Sequence, residues 1–369
     1  MSHLDRLYNI EDFRRSARSR LPKGIFEFID RGAEDDDAIR NNRDAFLSIK
    51  LRPQVLVDVS QRSTEIQLFG RKLGMPLAIA PTGAAGLVSY QGELALAKAA
   101  AEANIPFTLA TRSMSSIDEL SKAGGSLWFQ LYMWRDRVLS HALVERVNKA
   151  GIDALIVTLD VPVAPIREFN KKNGFTFPFK RSVRSIADIL RHPRWLTGVI
   201  GRYYLHDGGM PKYESHPGIT HDLTWKDIAE LRKLWPRTLM VKGVLRGEDA
   251  EKAVSYGVDG IIVSNHGGRC LDTSIAPIDA LPEIINAVGS KATVLVDGGI
   301  RRGSEIVKSL AMGASCVLSG RPCLYGLAVA GADGAGKVLS TFREELSTTM
   351  GQVGCTAISG IGPHLLSSK

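Results

Sequence analysis

Cysteine, aromatic residues and long apolar runs are all scarce in this chain, and each scarcity removes a class of protein. The 369 residues contain four cysteines, Cys270, Cys316, Cys323 and Cys355. They form no CxxC pair and no set with histidine at zinc-ligand spacing, so neither a disulfide framework nor a metal site is indicated, and reduced, cytoplasmic thiols are the expectation. Aromatics make up 7%, apolar residues 44% and charged residues 23%, the composition of a globular chain with an ordinary core, which excludes disorder, collagen and coiled coil. The most apolar stretch, 73–88, is cut by Pro76, Pro81 and three glycines, well short of the ~18 apolar residues of a membrane span. The N-terminus is charged throughout, so no secretion signal is expected. Acidic residues are the minority charge, 39 against 47 basic, for a net charge of +8. That excess suits anionic small molecules, an anionic membrane surface or nucleic acid, but no nucleic-acid-binding motif accompanies it.

Glycine, by contrast, is abundant at 36 residues, which suits tight strand-to-helix turns and loops lying against a ligand. From Met75 the chain cycles through a short apolar run, a turn and an amphipathic stretch of helical length. Strand candidates begin at Met75, Pro106, Leu127, Ala154, Thr238, Gly260, Thr293 and Ser315. Near-continuous apolar strands joined by helices mean a parallel sheet buried on both faces, and eight such units predict an α/β fold closed as a TIM (β/α)8 barrel. The whole chain, 1–369, reads as one domain: a helical N-terminal segment over 1–50, the barrel over 75–350 and a long variable loop over 161–224 after the fourth strand. That loop carries Lys180, Arg181, Arg184, Arg191, Arg194 and Arg202 among apolar residues with Asp188 as the lone acid, a basic-amphipathic pattern typical of membrane surfaces.

TIM-barrel sites lie at the C-terminal ends of the strands. Here those ends read Gln130 and Tyr132, Thr158 and Asp160, Lys242, Ser264 through Arg269, Asp297 through Arg301, and Ser319-Gly320-Arg321. Gly-rich turns with arginine after the seventh and eighth strands are where such barrels bind phosphate. The SNHGGRQ-like segment, here Ser264-Asn265-His266-Gly267-Gly268-Arg269-Cys270, sets an imidazole and a guanidinium three residues apart, a base beside a carboxylate clamp.

SNHGGR, DGGIRRG, SGRPCLYGLA, WFQLY, VTLDVP, VKGV, APTG and LPKGIFEFIDRGAED together resemble the FMN-dependent 2-hydroxy acid oxidoreductases, which include glycolate oxidase, L-lactate dehydrogenase and mandelate dehydrogenase. The likeness runs nearly end to end, apart from the long loop. It implies an FMN cofactor, and oxidation of an (S)-2-hydroxy acid to the 2-oxo acid with electrons passed to a quinone or another acceptor. It makes His266 the proton acceptor, Asp160 its orienting partner and Lys242 the charge facing the flavin ring. Arg269, Tyr132 and Arg167 would form the substrate pocket. Gln130, Thr158 and Ser264 would bond the flavin ring, with Pro81, Thr82 and Gly83 backing it. Asp297, Gly299, Arg301, Gly320 and Arg321 would hold ribityl and phosphate. A homotetramer is also implied, while the basic-amphipathic loop itself suggests a cytoplasmic protein peripheral on the inner face of the membrane.

Two positions depart from the family's pattern. Phe28 stands where many members have tyrosine, and Arg112 where Trp, Leu, Val or Ala borders the substrate side chain. Hydride transfer or α-proton abstraction are both open, as is a dioxygen-using oxidase. Readings from other classes are a phosphate-binding barrel isomerase and a non-catalytic membrane-associated protein.

Overall fold

The computed structural model describes residues 3–174, 183–211 and 218–367. Helices α1 (Ile10–Arg20), α2 (Lys23–Asp30) and α3 (Asp37–Ser48) come first. A hairpin of β1 (Ile66–Leu68) and β2 (Arg71–Leu73) follows. Its two-residue turn, Phe69 and Gly70, has φ of 48° and 76°, the left-handed pair that suits a tight hairpin.

Eight parallel strands then close a barrel: β3 (Leu77–Ile79), β4 (Phe107–Ala110), β5 (Leu127–Leu131), β6 (Ala154–Thr158), β7 (Thr238–Val244), β8 (Gly260–Val263), β9 (Thr293–Asp297) and β10 (Cys316–Ser319), with β10 pairing β3. All eight expected strands are present. Side chains alternate across a strand, and one set, Ala78, Ala80, Trp128, Ala154, Ile156, Met240, Ile262, Leu295, Cys316 and Leu318, packs together as the barrel interior. The other set joins the surrounding helices in the larger core. The hairpin plugs the N-terminal end, with the Phe69 ring edge-on to Trp128 at 6.2 Å between centroids.

This parity positions the site. Continuing the interior rows past the apolar floor brings Thr82, Gln130, Thr158, Lys242 and Asp297 to the C-terminal end of the lumen, two residues beyond Ala80, Trp128, Ile156, Met240 and Leu295.

The N-terminal helices are tied to that end rather than only covering it. The Asp272 carboxylate accepts backbone N–H bonds from Asp35, Asp37 and Ala38 at 3.0–3.1 Å, and the Gly268 carbonyl accepts from Ala33.

The segment read as a long loop is largely helical where described, with turns over Val183–Leu190, Pro193–Trp195 and Arg202–His206 joined by a π-helical stretch. Trp195, Val199 and Tyr203, four apart, are buried; the Trp195 ring N–H bonds the Leu87 carbonyl and the Tyr203 hydroxyl accepts the Gln91 N–H. Ile186, Leu190, Tyr204 and Leu205 face outward, with Arg191, Arg194 and Arg202 exposed among them. Lys180, Arg181 and the side chain of Arg184 lie outside the described residues. Among the described residues no helix is long and apolar enough to cross a membrane.

Candidate active site

A single cavity at the C-terminal end of the barrel is walled by nearly every side chain that the sequence singled out: Phe28, Pro81, Thr82, Gly83, Arg112, Gln130, Tyr132, Thr158, Arg167, Lys242, His266, Arg269, Asp297, Gly299, Arg301, Gly320 and Arg321. Asp160 and Ser264 stand just behind that wall.

His266 sits in a left-handed turn, with φ of 59° followed by Gly267 at 63° and Gly268 at 74°. A non-glycine residue there costs on the order of 1–2 kcal/mol, so local bonds must hold it. Its N–H donates to Ser264 Oγ at 2.9 Å and its Nδ1 meets Asp160 Oδ1 at 2.8 Å. Nε2 faces the Tyr132 hydroxyl at 3.2 Å. Burial alone would disfavour a charged imidazole, but Tyr132 and Asp160 outweigh it and raise the His266 pKa well above its usual value. Asp160 is itself held low: burial pushes its pKa up, and His266 and Lys242 more than reverse that.

Asp160 reaches this place because residue 243 is glycine. A Cβ on Gly243 would lie 2.5 Å from the Asp160 Cβ, and its φ is 100°. The β7–β8 register also shifts here, between Lys242 and Val244. Gly243 is part of the quoted VKGV motif, yet sequence reasoning gave it no role; the neighbouring polar strand end was its only signal.

Lys242 is buried and donates to Ser264 Oγ at 2.6 Å and to Asp297 Oδ2 at 2.9 Å. Burial lowers its pKa, but Asp297 and Asp160 raise it beyond the ordinary lysine value. Ser264 Oγ accepts from Lys242 and from the His266 N–H and so positions both; it stands outside the cavity lining, and its own hydroxyl hydrogen is left to donate.

Arg269 Nη1 donates to the carbonyls of Phe28 and Arg31, each at 2.8 Å, and its guanidinium lies over the Phe28 ring at 5.3 Å. No bond holds its Nε and Nη2 among the described residues. Arg167 is anchored to the Arg269 carbonyl at 2.6 Å through Nη2. Burial, then Arg167 and Arg321, pull the Arg269 pKa well down, a strain that an anionic ligand relieves. Arg112, exposed at the mouth, has its guanidinium 5.7 Å from the Tyr132 ring centroid and no hydrogen-bond partner among the described residues.

The opposite end is built for polar groups and phosphate. Thr82 Oγ1, Asp297 Oδ1 and Ser319 Oγ are buried without a partner, and each such atom costs about 1–3 kcal/mol until a ligand bonds it. Gly299 runs against α3 so closely that a Cβ would lie 2.3 Å from the Asn42 carbonyl. The helix beginning at Arg321 aims its N-terminus at the cavity, an anion site by geometry. The neighbouring helix from Gly303 is already capped, since Glu305 accepts the Arg301 and Arg302 N–H groups. Burial lowers the pKa of both Arg301 and Arg321, consistent with two cations awaiting one anion. Thr158 accepts from Gln130 Nε2 at 2.9 Å, forming a fixed polar pair beside Lys242.

The family of FMN-dependent dehydrogenases matches residues 17–368. The chain is 38% identical to (S)-mandelate dehydrogenase of Pseudomonas putida, over 98% of this chain and 94% of the relative. It is 42% identical to an L-lactate oxidase of Nostoc sp. (strain PCC 7120 / SAG 25.82 / UTEX 2576), over 97% of each. Its fold superimposes on the crystal structure of the monotopic membrane protein (S)-mandelate dehydrogenase with a TM-score of 0.93 at 38% identity, covering 99% of this chain and 100% of the other. The end-to-end match, together with the phosphate-binding turns and the histidine–aspartate pair described above, makes this chain a member of the FMN-dependent dehydrogenase family.

Proposed function

We propose that the chain oxidises an (S)-2-hydroxy acid to the 2-oxo acid, and that His266, Arg269, Arg167 and Tyr132 do the chemistry on the substrate. The observation that carries this reading is the convergence of His266, braced by Asp160, with the free edge of Arg269 at one end of a cavity whose other end offers orphaned polar atoms and two buried arginines. FMN fits that other end and, when bound, supplies the two-electron acceptor. Thr82, Gly299, Asp297, Ser319, Arg301, Gly320 and Arg321 would hold its ribityl chain and phosphate. Gln130, Thr158 and Lys242 would meet its ring, with Pro81 and Gly83 behind it.

Arg269 and Arg167 bind the substrate carboxylate and fix the carbinol near Nε2 of His266. The hydroxyl or the α-carbon gives a proton to His266, and Asp160 stabilises the imidazolium that results. Tyr132, whose hydroxyl lies 3.2 Å from Nε2, bonds the same substrate hydroxyl. Phe28 offers a ring but no hydroxyl to the carboxylate. Arg112, unpaired at the mouth, reads the far end of the substrate and favours a second anionic or strongly polar group.

The outward apolar and basic residues of the 183–211 segment dock on an anionic membrane, where a quinone takes the electrons. The likeness to a monotopic relative supports this docking. An oxidase reading is favoured by the 42% identity to an L-lactate oxidase. A homotetramer is carried over from the family resemblance, and light scattering on the purified protein reads it. The decisive test is anaerobic titration of the purified flavoprotein with a panel of 2-hydroxy acids, followed by air or a quinone analogue. Bleaching of the flavin bands with reoxidation by quinone is expected; no bleaching by any 2-hydroxy acid overturns the reading, and rapid reoxidation by air selects the oxidase.

A further inference from the structure

We infer that Asp160, His266 and Cys270 form an inhibitory binding site for a zinc-like divalent cation. One carboxylate oxygen, one imidazole nitrogen and the Cys270 sulfur all lie within 4.8 Å of one another. Nitrogen, sulfur and carboxylate oxygen are the donor set zinc prefers, and bonds of about 2.0–2.3 Å need only a modest inward movement of these side chains. A second observation points to a ligand here. Asp160 Oδ2 is buried and bonds nothing, although its partner oxygen is engaged with His266. His266 lines the cavity, so the fourth position of a tetrahedral ion would open toward solvent or substrate.

Cys270 supplies the soft ligand, one residue beyond Arg269. Among the four cysteines it alone is not buried. Arg167 and Arg269 lie close enough to the thiol to feel its charge, and they oppose a cation. Thiolate and carboxylate together offset that repulsion, leaving an affinity weaker than that of a structural zinc site. Binding at Nδ1 expels both the thiol proton and the Nδ1 proton to solvent, leaving a neutral imidazole with its remaining proton on Nε2. A histidine so held keeps its proton on Nε2, so it can neither take a proton from substrate nor accept the bond of the substrate hydroxyl. The inhibition rests on the function proposed above; the binding does not.

The test uses the FMN-loaded enzyme and ZnCl2. Calorimetry is expected to show one zinc per chain, with affinity falling roughly tenfold or more in Cys270→Gln and Cys270→Ala, whose basal turnover stays near wild type. Zinc should raise KM for the hydroxy acid in the wild type, reversibly with EDTA, and not in Cys270→Gln. A readout that needs no variant is iodoacetamide labelling of Cys270, which zinc should slow. Equal zinc affinity in wild type and both variants, or labelling unchanged by zinc, overturns the site. Thiol-dependent binding that leaves KM unchanged upholds the site and counts against the role given to His266.

Discussion

Replacing Asp160 by asparagine keeps the side-chain volume but removes a negative charge 2.8 Å from His266 Nδ1. A hydrogen bond to a charged group contributes about 1.5–3 kcal/mol, and each pH unit corresponds to about 1.36 kcal/mol. The His266 pKa should therefore fall by about 1–2 units. Burial already opposes the imidazolium, and without Asp160 only Tyr132 and Cys270 remain against it. Lys242 keeps Asp297 at 2.9 Å, so its charge persists. His266 accepts a proton only when neutral. Because its pKa is raised above the ordinary 6.5, wild-type kcat/KM should fall as pH drops through a limb above that value. In Asp160→Asn the limb moves to lower pH by about 1–2 units. The plateau drops roughly ten- to 150-fold, because the imidazolium formed during turnover has lost 1.5–3 kcal/mol of stabilisation. Stopped-flow flavin reduction across pH, normalised to FMN content, measures both quantities. An acid limb that stays in place or moves upward, with FMN retained, refutes the reasoning.

Arg269→Met should cut kcat/KM at least about tenfold while FMN stays bound, since one charge-assisted bond to the carboxylate contributes about 1.5–3 kcal/mol; unchanged kinetics would remove Arg269 from the clamp. Arg321→Met should weaken FMN retention by about tenfold or more on dialysis, with the released flavin read by fluorescence. Reversing Arg191, Arg194 and Arg202 to glutamate should weaken binding to anionic vesicles by at least about two orders of magnitude, since loss of the three cations alone costs about 1 kcal/mol each. Flavin reduction by substrate should be unaffected, and equal vesicle binding would make the segment a cover for the site only. Arg112→Leu should lose activity on a hydroxy diacid and gain it on an aliphatic or aromatic hydroxy acid; an unchanged substrate profile would turn Arg112 toward solvent.

The eight barrel strands were legible because each is an apolar run buried on both faces, bounded by glycine or a polar end. The β1–β2 hairpin was not: its strands are three residues long, and Phe-Gly replaces the Asn-Gly that would have marked the turn. In the 161–224 segment the amphipathic pattern was visible. Pro193, Gly198 and Gly201 weaken it as a helical signal, however, so the sequence alone did not separate helix from loop. For the site, alternation along a strand carries the information. Thr158, Lys242 and Asp297 fall in the same parity as the lumen residues Ile156, Met240 and Leu295, so their aim into the cavity could be counted out by twos. Ser264 has that parity as well, two beyond Ile262, yet it does not reach the cavity wall. Parity holds in direction there, since its hydroxyl meets the lumen-facing Lys242 ammonium, and that ammonium and the His266 N–H occupy its oxygen. The irregularity of the β7–β8 ladder at Gly243 makes room for Asp160. One glycine with no chemistry of its own thus admits the carboxylate that braces His266, and that assignment required the backbone.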